Sequence, residues 1–339
     1  GSGHRRSCCG RGMAEGDALF DAVNAGDADK VRALIGSGSD VSCFDGDGLT
    51  PLMHAARLGH ASVVKSLLEA RAPWNALSPL NLSAGDFAMD FGHHEAFELL
   101  LNAGIQAELV LGTIARNAKA NGGCDGFYLK DRVTFSEDKM TDSNSKAIMM
   151  AWERPLMEAH AKAVCSGGHH ILNIGFGMGL VDSAIQQYSP VKHTIVEAHP
   201  DVYDRMLRTG WGEKENVKII FGRWQDILSE LDSYDGIFFD TYEECYEDLR
   251  EFHHHLPALL KHSGIYSFFN GLCGSNAFFH VVYCNLVSLE LANLGFSTEF
   301  IPLPVRDCLE EGAWDGVKHK YWQLDTYHLP VVQAMQGNT

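Results

Sequence analysis

Two acids stand where a carboxylate pair would do chemistry. Asp240 closes the apolar run Gly236-Ile237-Phe238-Phe239, at the expected carboxyl end of a strand. Glu153 lies in Met149-Met150-Ala151-Trp152-Glu153-Arg154-Pro155-Leu156-Met157, read as an entry helix broken by Pro155 that folds over the pocket. Facing one another, the two would clamp a planar cation. A guanidinium meets carboxylates through paired, charge-assisted hydrogen bonds. Its nitrogens offer no free lone pair until a proton leaves, so one acid must also accept that proton. Asp240 is the expected base and Glu153 the anchor. The competing reading is a structural ion pair of either acid with Arg154 or another base.

Upstream of Asp240 lies Gly175-Phe176-Gly177-Met178-Gly179-Leu180, directly after the apolar run His170–Ile174. Glycines let a turn bend sharply and let a ligand approach the backbone. Twenty residues past Gly177 comes Glu197, placed to hold both hydroxyls of a ribose, with Ala198 and His199 following. Dinucleotide enzymes and methyltransferases share this pairing. Two features favour the methyltransferase: no third glycine stands at the Gly-x-Gly-x-x-Gly position, and Gly222-Arg223-Trp224-Gln225-Asp226 follows the third strand. There Trp224 is expected against adenine, with Gln225 or Asp226 on its edge; plain core packing is the alternative for Trp224. The expected cofactor is S-adenosyl-L-methionine, released as S-adenosyl-L-homocysteine, with no metal.

The elements that must position these residues follow from periodicity. Short apolar strands at His170–Ile174, His193–Glu197, Lys218–Phe221, Gly236–Asp240 and Gly264–Asn270 alternate with helices at Gly179–Tyr188, Pro200–Gly210 and Asp248–Leu260. That alternation predicts a parallel sheet covered on both faces. A later pair near Ser297–Pro302 and Tyr321–Thr326 is expected antiparallel at its edge. Before this, the chain repeats with a period of 33: Ala22, Ala55 and Ala88 align, as do Gly26, Gly59 and Gly92, and Leu34, Leu67 and Leu100. The middle copy, Asp47-Gly48-Leu49-Thr50-Pro51-Leu52-Met53-His54-Ala55-Ala56, is similar to the ankyrin signature, with Thr50 capping a helix whose first turn holds Pro51. The third copy has Ser83-Ala84 in place of Thr-Pro, as an atypical capping repeat would.

The fold class is therefore α/β: a class I methyltransferase, Rossmann-like with a seven-stranded, mostly parallel sheet, preceded by an all-α ankyrin-repeat domain. The expected boundaries are a leader at 1–12, with Gly1-Ser2-Gly3 as a cloning remnant, repeats at 13–105, a linker or bridging helix at 106–126 and the methyltransferase domain at 127–339.

At Met149, Trp152-Glu153, Pro155, Met157, Gly175–Met178, Glu197, Trp224 and Asp240-Thr241-Tyr242 the chain resembles the guanidinoacetate methyltransferase family. With the repeats, and with Phe127–Val133 similar to the domain entry, the whole resembles the type IV protein arginine N5-methyltransferases of fungi and plants. The resemblance implies methylation of the internal (δ) guanidino nitrogen of a protein arginine. It implies cofactor contacts from Met149, Met157, the Gly175–Leu180 loop, Glu197, Trp224 and Gln225, and a cover from Phe127 or Tyr128. Asp240 is placed where cofactor and substrate meet; Glu153, Thr241, Tyr242 and Asn270 complete the substrate side. The chain departs after Tyr242, where the small-molecule enzymes carry proline: Glu243-Glu244-Cys245-Tyr246-Glu247-Asp248 is either a landing for a basic polypeptide or an acidic helix start. Two alternatives stand beside this reading, a methyltransferase for a small guanidino compound and a non-catalytic ankyrin scaffold.

The net charge of −17 argues against nucleic acid as partner and suits a basic protein, a ribosomal one among the candidates. The repeats are read as a protein-binding surface or as a cap on the enzyme. No apolar run approaches the ~20 residues of a membrane span. Nine scattered cysteines without a signal peptide lead to the expectation of reduced thiols in the cytoplasm or nucleus. His253-His254-His255 cannot close one metal site, because adjacent helical positions point apart. They are read as a partly exposed helix face. Phe268-Phe269-Asn270 and Phe278-Phe279-His280 are read as substrate mouth or core.

Overall fold

The computed structural model describes residues 12–119, 128–242, 246–306 and 310–335. The chain forms two compact units, residues 1–113 with 276–286, and residues 114–275 with 287–339.

The first unit is helical: α1 (Gly12–Asn24), α2 (Ala28–Gly36), α3 (Pro51–Arg57), α4 (Ala61–Glu69), α5 (Ala84–Asp90) and α6 (His94–Lys119). The expected caps form. Thr50 accepts from Met53 N (3.2 Å), with Pro51 in the first turn of α3. Ser83 plays the same part for α5, accepting from Asp86 N (3.2 Å) while Asp86 returns a bond to Ser83 N (2.7 Å). The departure from Thr-Pro in the third copy thus preserves the cap. The repeat glycine earns its place at Gly59, where φ is +72° and a Cβ would fall 2.5 Å from the His93 ring. Leu52, Ala55, Val64, Leu67, Ala88 and Leu100 are buried between the helices.

Of the linker or bridging helix expected at 106–126, the first part is helix, since α6 continues to Lys119. Its remainder lies outside the described residues. One segment inside the domain placed at 127–339 packs elsewhere: residues 276–286 cluster with the first unit. Phe278 and Val282 are fully buried in its core, which takes Phe278 from the candidate substrate mouth and assigns it to packing.

The second unit opens with a small antiparallel sheet, β1 (Thr134–Phe135), β2 (Lys139–Thr141) and β3 (Ala147–Met150). Then follow α7 (Arg154–Cys165), β4 (His170–Ile174), α8 (Leu180–Gln187), β5 (Lys192–Glu197), α9 (Pro200–Arg208), β6 (Val217–Phe221), α10 (Trp224–Ile227) and β7 (Tyr234–Phe239). The chain continues through α11 (Tyr246–His253), α12 (Leu256–Leu259), β8 (Leu260–Phe268), α13 (Ala277–Asn293), β9 (Phe296–Pro304) and β10 (Thr326–Ala334). Helix α13 begins in the first unit and ends in the second.

The main sheet has seven strands in the order β6-β5-β4-β7-β8-β10-β9, parallel from β6 to β8 and antiparallel at β10 and β9. The chain enters at the central β4, runs outward to β6, then returns to build β7 on the other side. Ligands bind at such a reversal, beyond the carboxyl ends of the strands. The five parallel strands stand where periodicity put them.

Three local expectations are corrected. Met149 and Met150 are not helical: they end strand β3, and Ala151–Glu153 make a 3-10 turn. Pro155 starts α7 rather than breaking a helix, because a helix's first turn needs no donor from proline. Pro257 splits the helix expected over Asp248–Leu260 into α11 and α12. The last strand is Thr326–Ala334, not Tyr321–Thr326. Pro330 within it is tolerated because the ladder to β8 is confined to Val332 and Gln333.

Candidate active site

The carboxyl ends of β5, β4 and β7 lie side by side and are tied by backbone bonds. Gly175 N donates to Val196 O, Asp240 N to Ile174 O and Gly222 N to Glu197 O, each at 2.9 Å. Glu197, the glycine turn and Asp240 are thereby brought together from three strands.

Gly175 has φ of +91°, and a Cβ there would lie 1.8 Å from Asp240 O. Nothing but glycine lets the turn press so closely on the strand that bears the candidate base. Met149 covers the next step of the turn, its sulfur accepting from Met178 N (3.3 Å). Gly179 caps α8, so that helix points its N-terminus into the turn, and Leu180 follows it, buried. Phe176 is buried against Trp211 with ring centroids 5.3 Å apart.

Glu197 is buried, with Phe176 N donating to Oε2 (2.9 Å) and His199 N to Oε1 (2.7 Å). Desolvation raises its proton affinity, and these backbone donors oppose the shift. Ala198 is half-buried beside it. His199 has both ring nitrogens engaged, Nδ1 accepting from Asp201 N to cap α9 and Nε2 lying 3.1 Å from Asp131 O. Its place is as support for Tyr128, whose ring centroid is 4.7 Å away. Tyr128 also meets Tyr242 edge-on at 4.8 Å, so it sits over the segment following Asp240. Phe127 lies outside the described residues.

Trp224 is 2% exposed and packs edge-on against Phe239, Phe252 and His255. Its side chain packs in the core, while Gln225 beside it is half-buried. Met157 is likewise fully buried in the core. Asn270 is buried; its N–H donates to Tyr327 Oη (2.7 Å) and its side chain to His328 O (3.0 Å). Thr241 and Tyr242 are half-buried, and Lys146 Nζ stands 5.0 Å over the Tyr242 ring.

The carboxylate pair is the electrostatic centre. Glu153 is 2% exposed and Asp240 retains partial access, as a group lining a cleft does. Burial, and then the charge of Asp240, push the Glu153 carboxyl up to about 8. Burial pushes Asp240 up to about 7. Among the described residues no Lys, Arg or His pairs with either. Arg154, the partner a structural reading would need, is exposed. Buried acids are ordinarily paired. Two acids together without a cation make the site strongly negative whenever both ionise.

Sequence reasoning missed Tyr321, whose hydroxyl donates to Glu153 Oε1. It also missed a buried chain in which Asn270 N donates to Tyr327 Oη, Tyr327 lies 2.8 Å from His160 Nε2, and His160 Nδ1 lies 2.7 Å from Ser267 Oγ. Ser267 donates onward to Pro330 O, so His160 donates from Nδ1 and accepts at Nε2. Burial holds this imidazole neutral, down at about 3. Of the histidine triplet, His253 is buried and bonded to Tyr266 Oη (3.1 Å), while His254 is exposed and His255 half-buried. They do diverge, though His253 is core rather than surface. The acidic run after Tyr242 starts α11 at Tyr246, with Glu247 paired to Arg250. Residues 243–245 lie outside the described residues.

A sheet of this order, with a glycine turn and two acids, Glu197 and Asp240, at adjoining strand ends, defines a class I methyltransferase fold. Comparison agrees: residues 121–292 match the guanidinoacetate N-methyltransferase family, and residues 19–110 match three copies of the ankyrin repeat. Curated relatives extend the match across both parts. The chain is 35% identical to "Protein arginine N-methyltransferase 2" of Aspergillus oryzae, over 81% of this chain and 78% of that one. It is 31% identical to the protein of the same name in Emericella nidulans (94% and 87%) and in Cryptococcus neoformans var. neoformans (93% and 94%). The chain belongs to this protein arginine N-methyltransferase 2 family.

Proposed function

We propose that this protein transfers a methyl group from S-adenosyl-L-methionine to the internal (δ, N5) guanidino nitrogen of an arginine in a protein substrate. The observation that carries the proposal is the pair of buried Glu153 and half-buried Asp240 beside the glycine turn, without a paired cation among the described residues. The relatives' name supports arginine as acceptor, and the family model supports a guanidino group as the methylated moiety.

The residues present fit the cofactor. The turn at Gly175–Gly179 has no side chain at its tightest approach, and Glu197 stands at the neighbouring strand end with two carboxylate oxygens. Bound there, S-adenosyl-L-methionine supplies an electrophilic methyl group on a sulfonium sulfur. The chain's own work is to hold the acceptor flat, turn its inner nitrogen towards the ends of β4 and β7, and take away a proton. Glu153 anchors the guanidinium, and Asp240 accepts the proton that the attacking nitrogen gives up. Because both acids are pushed towards neutrality, arrival of a cation ionises them, and Asp240 has the proton affinity a base at neutral pH needs. Water leaves when the flat cation fills the clamp, which strengthens both bonds.

The strongly acidic chain favours a basic protein substrate, a ribosomal protein among the candidates, met in the cytoplasm or nucleus. The repeats supply a surface for a protein partner. A second reading, a small guanidino acceptor, draws on the family model alone. Incubation with methyl-labelled cofactor and either guanidinoacetate or an arginine-rich protein separates the two. Fragmentation mass spectra must place the added methyl on the internal nitrogen; label on a terminal nitrogen, or on the small molecule only, overturns the proposal.

A further inference from the structure

Glu153 holds its position through bonds that fall on one oxygen. Met150 N donates to Oε1 (2.9 Å), closing the 3-10 turn Ala151–Glu153, and Tyr321 Oη donates to the same Oε1. Neither bond uses Oε2, which stays available to a ligand. Tyr321 comes from the segment before β10, far along the chain from Glu153, so this contact is a product of tertiary folding.

The tyrosine is itself held by aromatic packing. Its ring meets Trp314 edge-on, with centroids 4.9 Å apart, and lies tilted on Trp152 at 5.8 Å. Trp152 and Trp314 are 5.8 Å apart as well. A hydrocarbon stem sandwiched between two rings needs about 7–8 Å between them, twice a carbon–carbon contact. These rings are therefore packed on one another and leave no slot for the substrate's stem. Their effect is to fix the direction of the Tyr321 hydroxyl. The next residue, Trp322, is fully buried, and its indole N–H donates to Leu324 O (2.7 Å), pinning the same segment.

We infer that Tyr321 is a positioning residue of the active site, acting through Glu153 Oε1 so that Oε2 is presented to the substrate cation. The inference rests on the proposed role of the carboxylate pair. Burial and the charge of Asp240 oppose the ionisation of Glu153, and the Tyr321 hydroxyl and Met150 N–H favour it. A hydrogen bond to the ionised form lowers a carboxyl's proton affinity. Without the hydroxyl, Glu153 holds its proton to higher pH, and the anchor is less often ready.

The test is Tyr321→Phe, which keeps the ring and its packing, assayed with an arginine-containing protein that the wild type methylates. The acid limb of kcat/KM should move up by about one pH unit, the scale of one hydrogen bond to a charged group. KM should rise ~3–10-fold near neutral pH, while kcat changes less than ~3-fold and the affinity for S-adenosyl-L-homocysteine holds. In a Glu153→Gln background the Tyr321→Phe change should lose its effect on the pH profile. A purely structural tyrosine would lower the melting temperature and kcat without moving the limb. Should Tyr321→Phe not fold, 3,5-difluorotyrosine at position 321, a near-isosteric and stronger donor, should move the limb down. A limb that moves with neither replacement overturns the inference while leaving the wild-type activity, and hence the proposed function, intact. A wild type inactive on every arginine substrate overturns both, and it is recognised before any variant is made.

Discussion

Glu153 and Asp240 lie near enough that the charge of Asp240 adds to burial in raising the proton affinity of Glu153. Glu153 stands at the start of α7 and Asp240 at the end of β7, and neither has a cation among the described residues. Such a pair titrates as a unit, and its protons are released by whatever positive ligand enters.

The first expectation concerns stability. An unfolded carboxyl titrates near pH 4. In the folded protein this pair keeps protons up to about 7 for Asp240 and about 8 for Glu153. Between those limits the folded state binds more protons than the unfolded chain, so stability falls as pH rises from about 4 towards 8. Glu153→Gln, neutral throughout, should flatten the slope and raise the melting temperature near pH 8. Thermal unfolding followed from pH 5 to 8.5 reads this directly; a wild type that gains stability over that span contradicts the pairing.

Asp240→Asn keeps the shape of the clamp and removes the proton acceptor. Turnover should fall ~10²–10⁴-fold, the usual weight of a general base, with cofactor affinity within a few-fold. The same change removes the repulsion felt by Glu153, so binding of an arginine substrate should persist to lower pH. Turnover near the wild-type value would reject Asp240 as the base.

Glu197 accepts from Phe176 N and His199 N while standing beside the glycine turn. Glu197→Ala leaves both donors unsatisfied and removes the proposed ribose contact, so the dissociation constant of S-adenosyl-L-homocysteine should rise at least ~10-fold. Calorimetry decides. An unchanged constant assigns Glu197 to holding the backbone alone.

How much of this was legible before the structure depended on how far each feature reaches along the chain. The turn at Gly175–Gly179, the acids ending β5 and β7, and the period of 33 are local patterns, and each stands where it was expected. Ser83 replaces threonine yet caps α5, because a hydroxyl at that position is all the cap requires. Trp224, expected against adenine, packs in the core, since an aromatic after a strand reads alike as ligand wall and as core. Tyr321 was invisible because its partner is set by tertiary packing; the aromatic cluster around Trp314 and Trp322 was the only sign of an ordered segment. The last strand lies at Thr326–Ala334 rather than Tyr321–Thr326, and it holds a proline, Pro330, a residue type that weakens a strand's pattern.

The deepest departure, residues 276–286 within the repeat unit, leads to the last expectation. Asp86 is 4% exposed and is not alone: Ser83 N and Oγ and Asn276 Nδ2 donate to its Oδ2 at 2.6–2.7 Å, and Phe278 N donates to Oδ1 at 3.0 Å. The Phe278 ring is fully buried against Trp74 and Phe97 and rests where a Cβ on Gly85 would be, 2.1 Å from its atoms. Removing the ring leaves a cavity worth about 3–5 kcal/mol. Removing the Asp86 carboxylate strands several buried donors at about 1–3 kcal/mol each. Phe278→Ala and Asp86→Ala should therefore each reduce hydrogen-exchange protection in α5 and α6, although Phe278 lies almost two hundred residues beyond them. Protection of β4 and β7 should be lost far less. Phe44→Ala, at a ring 52% exposed, serves as the control. If Phe278→Ala disturbs α5 and α6 no more than that control does, the segment is not part of the repeat core.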